Sequence, residues 1–344
     1  MIVAPEPTRL PADPWPRFLP GPRPSGRYRV RPEDFRVTEV LPFAPEGEGG
    51  HRLLRIRKTG CNTEDVAADL ARLAGCQRRD VGFAGLKDRR AVAEQHFTVP
   101  VDRLVSDPAL WHGRSWAVIG VDQVRRKLRR GALAGNTFEL LLRVPGPARW
   151  RVATRMEWLA NRGIPNYFGP QRFGRGGGNV VGARRLLAGE SVPKRMRGLY
   201  YSAARSYAFN QVLAQRVVDG TWDQLLPGEV ALLAGKRSGF SVVDPAAEVD
   251  RLRCGDIHPS GPLPGEGGLT PTGAAADKEA AALAHFVDWP PALAAAGVAG
   301  DRRPLRVFPA RFWWRLEGAA GIRVGFRLPA GSFATAVVRE LISA

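Results

Sequence analysis

The chain of 344 residues carries 51 lysines and arginines against 33 aspartates and glutamates, giving a formal net charge of +18. Hydrophobic residues make up 44% of the sequence, which excludes a disordered chain and predicts a globular protein. So large a positive charge favours a polyanionic partner such as a nucleic acid, although an arginine-rich, GC-biased source would produce the same excess.

The three cysteines are odd in number and form no CxxC pair, which favours a reducing cytoplasm over a disulfide framework. We therefore expect a cytoplasmic protein. Cys254 and His258 are close in sequence, but a closed zinc site needs four ligands, so no metal is expected. No apolar run reaches the ~18 residues that span a bilayer, and the first residues lack the pattern of a signal peptide.

The first half of the chain predicts strands alternating with helices, and the total length favours about two domains. Residues 1–26 are rich in proline and predict an irregular arm. The segment HRLLRIRKTG alternates apolar and basic residues, which predicts a half-buried strand. NTEDVAADLARLAG predicts a helix that Asn62 caps and Gly75 ends. Further strands are predicted at VGFAG, at EQHFTV and around Phe138, and a helix over ARWRVATRMEWLANRG.

The pattern changes at IPNYFGPQRFGRGGGNVVGARRLL, where a glycine-rich loop leads into a helix that begins near Asn179. SAARSYAFNQVLAQRVV predicts a second, long helix. Residues 255–276 are rich in Gly, Pro and Ala and are predicted to form loops. GIRVGFRLP predicts a strand and PAGSFATAVVRELIS a helix, and both resemble the first half more than the middle. A domain inserted at a loop of another domain is therefore expected.

The stretch GFAGLKDRRAVAEQHF surrounds Asp88 with the cations Lys87, Arg89 and Arg90. Opposite charge favours the ionised carboxylate, which can act as nucleophile, general base or electrostatic stabiliser. The same cations would attract a phosphate backbone. The alternative interpretation is an exposed ion pair that contributes ~0–1 kcal/mol.

Other motifs carry chemistry suited to RNA. A basic patch before a turn contains Arg125, Arg126, Lys127, Arg129 and Arg130. Asn136 can hydrogen-bond a base edge or cap the turn. Three aromatic residues can stack on an exposed base or pack in the core: Phe35, Phe138 and Phe333. NYFGPQRFGRGGGN offers Arg172 and Arg175 to phosphates but fits neither the dinucleotide fingerprint nor the P-loop, which excludes nucleotide cofactors. The serine-hydrolase and metalloprotease motifs GxSxG and HExxH are also missing from the sequence.

Four stretches, in this order, resemble the signature segments of the tRNA pseudouridine synthase D (TruD) family: VGFAGLKDRRAVAEQ, KLRRGALAGNTFELLLR, NYFGPQRFG and LPAGSFATAVVREL. PEDFRVTE, KTGCNTEDVAADLA and SAARSYAFNQVLAQRV match as well. The resemblance extends from about residue 27 to the C-terminus and is weakest over about 235–305. The arm, residues 1–26, lies outside the pattern. Several long motifs in the right order are far more specific than any one of them.

The resemblance implies an α+β fold, in which helices flank a mixed, largely antiparallel sheet and a family-specific α/β domain interrupts the core. The catalytic domain would comprise residues 27–163 and 310–344, and the inserted TRUD domain residues 164–309. The implied reaction is isomerisation of uridine to pseudouridine in tRNA, at position 13 in bacterial members. Neither a metal nor an organic cofactor is implied, and a monomer is expected by default.

The resemblance also assigns roles to residues of this sequence. The family's catalytic aspartate falls on Asp88, and its substrate contacts fall on Phe35, Asn136 and Phe333. Phe138 matches an aromatic position that is often tyrosine in other pseudouridine synthases. Arg29 keeps a positive charge where relatives can have lysine. The residues expected to hold tRNA phosphates are Lys87, Arg89, Arg125, Arg126, Lys127, Arg129, Arg130 and Arg172.

In the implied reaction the target uridine leaves its stack, because the bond from ribose C1′ to N1 breaks and a bond to C5 forms. Asp88 would attack covalently or remove a ribose proton to give a glycal, and the sequence leaves both routes open. Two alternatives to an RNA-modifying isomerase also remain: a non-catalytic RNA-binding protein of the same fold, and an RNA hydrolase that uses acid–base carboxylates.

Overall fold

The computed structural model describes residues 13–102 and 106–343, which form two compact units. The sheet unit consists of Arg23–Met156, Pro309–Gly331 and Leu341–Ala344. The helix-rich unit consists of Glu157–Phe308 and Ser332–Glu340, together with the described residues before Arg23. The predicted domain boundaries stay a prediction, and Ser332–Glu340, which the sequence assigns to the catalytic domain, groups with the helix-rich unit.

Strands and helices are interspersed along the chain. The first part contains β1 (Phe35–Val40), β2 (His51–Thr59), α1 (Thr63–Leu73), β3 (Gly82–Phe83), β4 (Val92–Pro100), β5 (His112–Gly113), β6 (Trp116–Val124), β7 (Gly135–Arg143) and α2 (Arg149–Arg162). The middle contains β8 (Ile164–Pro165), α3 (Pro170–Phe173), α4 (Gly178–Leu187), α5 (Lys194–Val218), β9 (Val230–Leu233), β10 (Gly239–Ser241), α6 (Val249–Cys254), β11 (Ile257–Leu263), α7 (Gly273–Ala282), α8 (Trp289–Ala295), β12 (Asp301–Pro304) and β13 (Arg306–Val307). The last part contains β14 (Ala310–Glu317), β15 (Gly321–Pro329) and α9 (Ala334–Leu341).

One large sheet forms the sheet unit. Its strand order is β14-β15-β7-β1-β4-β2-β6-β5, and β3 pairs with β4 beside this path. The pairing of β1 with β4 is parallel, and the other pairings in the described part of the sheet are antiparallel. The predicted mixed, largely antiparallel sheet flanked by helices is therefore confirmed.

The register brings the predicted site residues of β1 and β7 to one face of the sheet. Val37 lies opposite Phe138, and Glu39 lies opposite Asn136. Because directly opposed residues of neighbouring strands share a face and alternate residues of a strand do too, Phe35 also lies on this face. We call it the site face.

Helix α1 covers the part of the site face that β2 and β4 form. Leu54 and Ile56 of β2 are buried and alternate with the exposed Arg55 and Arg57, as the pattern predicts. Val66 and Leu70 of α1 pack with them in one hydrophobic core cluster. At the start of the helix, the carboxylate of Asp65 accepts a hydrogen bond from the backbone N–H of Asn62. The helix is thus fixed beside the loop that connects β3 to β4.

The helix-rich unit has its own small sheets and its own core. Strands β10, β9, β11 and β12 form a four-stranded sheet in that order, and β13 pairs with β8. Long helix α5 contributes buried residues such as Tyr207, Phe209 and Leu213 to an aromatic core cluster. Trp222 and Trp289 are buried in the same cluster.

The expectation that residues 255–276 form loops is wrong in part. Residues 257–263 form β11, which pairs with β9 through residues 257–259 and with β12 through residues 260–263. Each half of this strand therefore has one pairing partner, and proline is tolerated where a neighbouring strand does not need its N–H. Composition alone hid the strand, because glycine and proline removed the period-2 pattern. Residues 264–272 are irregular until α7 begins at Gly273.

Across the described ranges, none of the helices is both long enough and apolar enough to cross a membrane.

Candidate active site

Asp88 lies in the loop of residues 84–91, which connects β3 to β4. We call it the Asp88 loop. The side chain of Asp88 is 44% exposed, and its Oδ2 accepts a hydrogen bond of 2.8 Å from Nη2 of Arg29. A charge-assisted hydrogen bond of this length fixes the orientation of the carboxylate.

Two basic neighbours of Asp88 in the sequence, Lys87 and Arg89, have other partners. The ammonium of Lys87 pairs with Glu39 at 2.8 Å, and its side chain is almost completely buried. Nε of Arg89 donates to the carbonyl oxygen of Gly60 at 2.9 Å. The sequence leaves open whether Lys87, Arg89 or the more distant Arg29 pairs with Asp88, and in the structure Arg29 does. A buried and paired ammonium is a poor phosphate ligand, so we leave Lys87 out of the RNA contacts proposed below.

Arg29 is held in an unusual backbone conformation. Its φ angle is +56°, in the left-handed region that residues with a side chain seldom adopt. Its guanidinium lies 3.9 Å above the centre of the Phe35 ring and 5.4 Å from that of Tyr28. Left-handed backbone outside glycine costs of order 1–3 kcal/mol and is concentrated at functional sites. The ring contacts and the ion pair offset that cost here.

A buried polar cluster holds the Asp88 loop through hydrogen bonds. It consists of Glu39 on β1, Lys58 on β2, Thr63 on α1 and Gln95 on β4, and we call it the loop clamp. Nζ of Lys58 donates to three backbone carbonyl oxygens, those of Cys61 at 2.8 Å, Asp88 at 3.2 Å and Lys87 at 3.4 Å. Burial lowers the pKa of Lys58, and the nearby charges of Cys61 and Asp88 partly oppose that shift.

The other members of the clamp bind the preceding residues of the loop. Gln95 Nε2 donates to the carbonyl oxygen of Gly85 at 2.6 Å, and Thr63 Oγ1 accepts from the backbone N–H of Lys87 at 3.0 Å. Thr63 also donates to Gln95 Oε1 at 3.0 Å. Burial raises the pKa of Glu39, but hydrogen bonding from His96 and the charge of Lys87 outweigh it and lower the pKa overall.

The sequence analysis missed the loop clamp. One signal was nevertheless present, because Lys58 continues the buried series of Leu54 and Ile56 at the end of β2. A lysine on the apolar side of a strand is almost never buried unless it has acceptors. The acceptors are backbone carbonyls from distant segments, which no spacing in the sequence indicates.

Phe35 and Phe138 form the aromatic part of the site face. Their ring centres are 5.9 Å apart in an edge-on arrangement, and Phe138 also lies 5.5 Å from Phe326 of β15. Phe35 is only 2% exposed and Phe138 only 7%. One face of the Phe35 ring is covered by Arg29, so the rings also serve as core and as support for the guanidinium.

Asn136 offers an unused hydrogen-bond acceptor on the site face. Its Oδ1 is buried and has no hydrogen-bond partner among the residues that the structure describes. Leaving a buried polar atom unpaired costs about 1–3 kcal/mol, so such an atom usually has a ligand or another role. The N3–H group of a uracil base is a donor that would satisfy it.

Phe333 belongs to the helix-rich unit, just before α9. It is partly buried and packs against the aromatic core cluster that contains Tyr167 and Phe168. Its predicted contact with the substrate stays a prediction.

The predicted basic patch lines a cleft in the sheet unit. Arg125, Arg126, Lys127 and Arg129 border it together with Phe43 and His51, and its volume is about 900 Å³. Two cations of the patch have carboxylate partners, because Arg125 pairs with Glu48 and Arg130 pairs with Glu64, which Arg78 also contacts. Lys127 donates to the carbonyl oxygen of Arg79. Arg126 and Arg129 are exposed, and neither pairs with a described carboxylate.

Arg172 lies in the helix-rich unit beside a second arginine that the sequence analysis did not single out. Its guanidinium is 5.4 Å from the centre of the Phe168 ring, and that of Arg303 is 4.2 Å from it. Burial lowers the pKa of Arg172, and burial together with the charge of Arg172 lowers that of Arg303 to about 9. The predicted RNA contact of Arg172 stays a prediction.

Within residues 13–102 and 106–343, no three His, Cys, Asp or Glu side chains come together in a way that could hold a metal ion. Cys254 is exposed, whereas His258 is buried beside Arg306. Burial and the charge of Arg306 lower the pKa of His258 to about 4.

Known proteins resemble the chain over nearly its whole length. The profile of the family "tRNA pseudouridine synthase D (TruD)" matches residues 20–187 and 181–341. A tRNA pseudouridine synthase D of Methylococcus capsulatus is 43% identical over 322 residues, covering 92% of this chain and 91% of the relative. One from Aeromonas hydrophila is 43% identical over 323 residues, covering 93% and 91%. A crystal structure from Methanosarcina mazei, described as TruD, superposes with a TM-score of 0.75 at 19% identity, covering 96% of both chains, and shows the same fold.

Proposed function

Because the chain belongs to the tRNA pseudouridine synthase D family, we propose that it isomerises uridine to pseudouridine in tRNA, at position 13, with Asp88 as the catalytic residue. The observation that carries this proposal is the Arg29–Asp88 pair on a clamped loop at the site face. A half-exposed carboxylate with a fixed orientation suits attack on a nucleotide that has left its stack.

Asp88 acts by one of two routes. Its carboxylate forms a bond to the nucleotide while the bond from C1′ to N1 breaks, or it removes a ribose proton and yields a glycal. In both routes the uracil then turns and C5 bonds to C1′. In the first route the bond from Asp88 to the nucleotide breaks again, and in the second the ribose regains the proton that Asp88 removed. The proton on C5 is lost while N1 gains one. No atom is added or removed overall, so the reaction itself consumes no co-substrate.

The neighbouring residues have separate tasks in this proposal. Arg29 holds Asp88, and the ring of Phe35 supports Arg29. The free Oδ1 of Asn136 accepts a hydrogen bond from the uracil. Phe138 and Phe333 pack against the extruded base, and Arg89, the basic patch and Arg172 bind phosphates. The ring of Phe35 is only 2% exposed, so its predicted contact with the base stays a prediction beside its support of Arg29.

The decisive experiment incubates the purified protein with unmodified tRNA and maps pseudouridine chemically. We expect the wild type to form pseudouridine, and Asp88→Ala to lose at least about a thousandfold in rate, as catalytic residues do. Glu94→Gln is the matched control, because Glu94 is a carboxylate of β4 that pairs with Arg57 at 3.0 Å, away from Asp88.

Each other outcome points to a different function. Cleaved strands would identify an RNA hydrolase, and tRNA binding without isomerisation would identify a non-catalytic RNA-binding protein. Full activity of Asp88→Ala would refute the assignment of Asp88. Binding of tRNA by the inactive variant separates recognition from chemistry.

A further inference from the structure

Leu86 is a large apolar side chain at the surface, two positions before Asp88. The residue is 62% exposed. Single exposed leucines are common on soluble proteins, so exposure by itself indicates nothing. What distinguishes Leu86 is the main chain on either side of it.

The loop clamp fixes the backbone immediately before and after Leu86. The carbonyl oxygen of Gly85 accepts from Gln95, and the N–H of Lys87 donates to Thr63. Both clamp residues are buried, and they are hydrogen-bonded to each other. The side chain of Leu86 therefore extends into solvent from a main chain that has little freedom to move.

We propose, on the basis of the proposed function, that Leu86 is an apolar wedge that contacts the base beside the target uridine in the folded RNA. When a nucleotide leaves a stack, it leaves a gap, and proteins that distort nucleic acids insert Leu, Ile, Met or Phe side chains between base steps. A wedge on a fixed main chain loses little further conformational entropy when it inserts. The ligand is thus the apolar face of a stacked base next to the reacting nucleotide.

The test replaces Leu86 with glutamine, which has a similar length but a polar end. The tRNA carries the fluorescent base 2-aminopurine next to the target uridine, so that unstacking on binding raises its fluorescence. We expect Leu86→Gln to lower kcat/KM by about tenfold, from the lost burial of a leucine. We also expect the fluorescence rise to disappear, while the Kd for tRNA changes by less than about twofold because phosphate contacts dominate affinity.

Three controls make the result decisive. Leu86→Met keeps an apolar side chain and should retain both the rate and the fluorescence rise. Leu110→Gln alters a leucine that is 76% exposed elsewhere in the sheet unit and should behave as wild type. Thermal unfolding of each variant reports the fold. A Leu86→Gln protein with the wild-type rate, or with a lower rate but an undiminished fluorescence rise, overturns the wedge. A wild type that forms no pseudouridine overturns the proposed function instead.

Discussion

At the scale of single residues, the pair of Arg29 and Asp88 shows how one side chain can be positioned by several weak effects. The guanidinium of Arg29 stacks on the ring of Phe35 and donates a hydrogen bond to Asp88. The main chain of Arg29 has a left-handed conformation. A planar guanidinium can do the first two at once, whereas a lysine ammonium presents a point charge without a stacking face. Arg29 is therefore suited to hold the carboxylate in one orientation.

Replacement of Arg29 tests that role. We expect Arg29→Gln to lower the single-turnover rate by about 10–100-fold, because a hydrogen bond to a charged group contributes about 1.5–3 kcal/mol. The rate of Arg29→Lys should lie between those of the wild type and Arg29→Gln, since lysine keeps the positive charge but loses the planar contact with Phe35. Arg89→Gln is the control, as Arg89 bonds Gly60 and not Asp88. An equal loss in the Arg89 variant would contradict a special role for Arg29.

At the scale of secondary-structure elements, the Asp88 loop is fixed because four elements supply one clamp residue each. Strands β1, β2 and β4 and helix α1 provide Glu39, Lys58, Gln95 and Thr63. Lys58, Thr63 and Gln95 satisfy donors and acceptors of the loop's own backbone, which otherwise would need water, and Glu39 pairs with the side chain of Lys87. A loop of irregular structure thereby gains a geometry as defined as that of a strand.

The substitution Lys58→Met tests the clamp, since methionine keeps an unbranched side chain but donates no hydrogen bond. We expect a loss of about 1–3 kcal/mol in the free energy of unfolding, because buried carbonyls lose their donor. We also expect the single-turnover rate to fall more than tRNA affinity does, because Asp88 loses its position while phosphate contacts persist. Chemical denaturation and tRNA titration measure the two effects, and Lys236→Met, at an exposed lysine, serves as control. An unchanged rate in a folded Lys58 variant would speak against the clamp.

Some elements could be predicted from local sequence and others could not. Strand β2 and helix α1 follow from the periodicity of Leu54, Ile56, Val66 and Leu70, because burial on one side repeats at the period of the element. Asp88 was singled out as a candidate site residue because basic residues flank it in the sequence. The sequence offered Lys87, Arg89 and Arg29 as partners of Asp88, and only the pairing of β1 with β4 shows that Arg29, 59 residues away, is the one in contact. Contacts between residues so far apart in the sequence produce no periodic pattern from which they could be predicted.

At the scale of the whole molecule, many of the 51 lysines and arginines pair with carboxylates, and the net charge of +18 is the excess over the 33 acidic residues. The cations without a carboxylate partner matter most for RNA binding. Arg125 and Arg130 of the basic patch are paired with glutamates, whereas Arg126 and Arg129 are exposed beside the cleft of about 900 Å³. The net charge of +18 therefore does not by itself show which cations contact phosphates.

The double substitution Arg126→Ala, Arg129→Ala tests this distribution. We expect weaker tRNA binding and a salt dependence whose slope, in log Kd against log salt, falls by about 2, since each phosphate contact contributes roughly one ion. Affinity measured over a range of salt concentrations provides the slope. Arg253→Ala, at an exposed arginine of α6, should leave it unchanged. A double variant with the wild-type slope would show that the cleft does not bind the RNA backbone.

The pairing of β7 with β15 has a consequence for how the protein is made. β7 ends at Arg143 and β15 begins at Gly321, so a ribosome completes the helix-rich segment between them before β15 exists. Until then one edge of β7 stays unpaired, and Phe138 lacks its contact with Phe326. Exposed strand edges invite pairing with other chains. This edge of β7 therefore waits through about half of the chain's synthesis for its partner, and the large sheet can close only after β15 has been made.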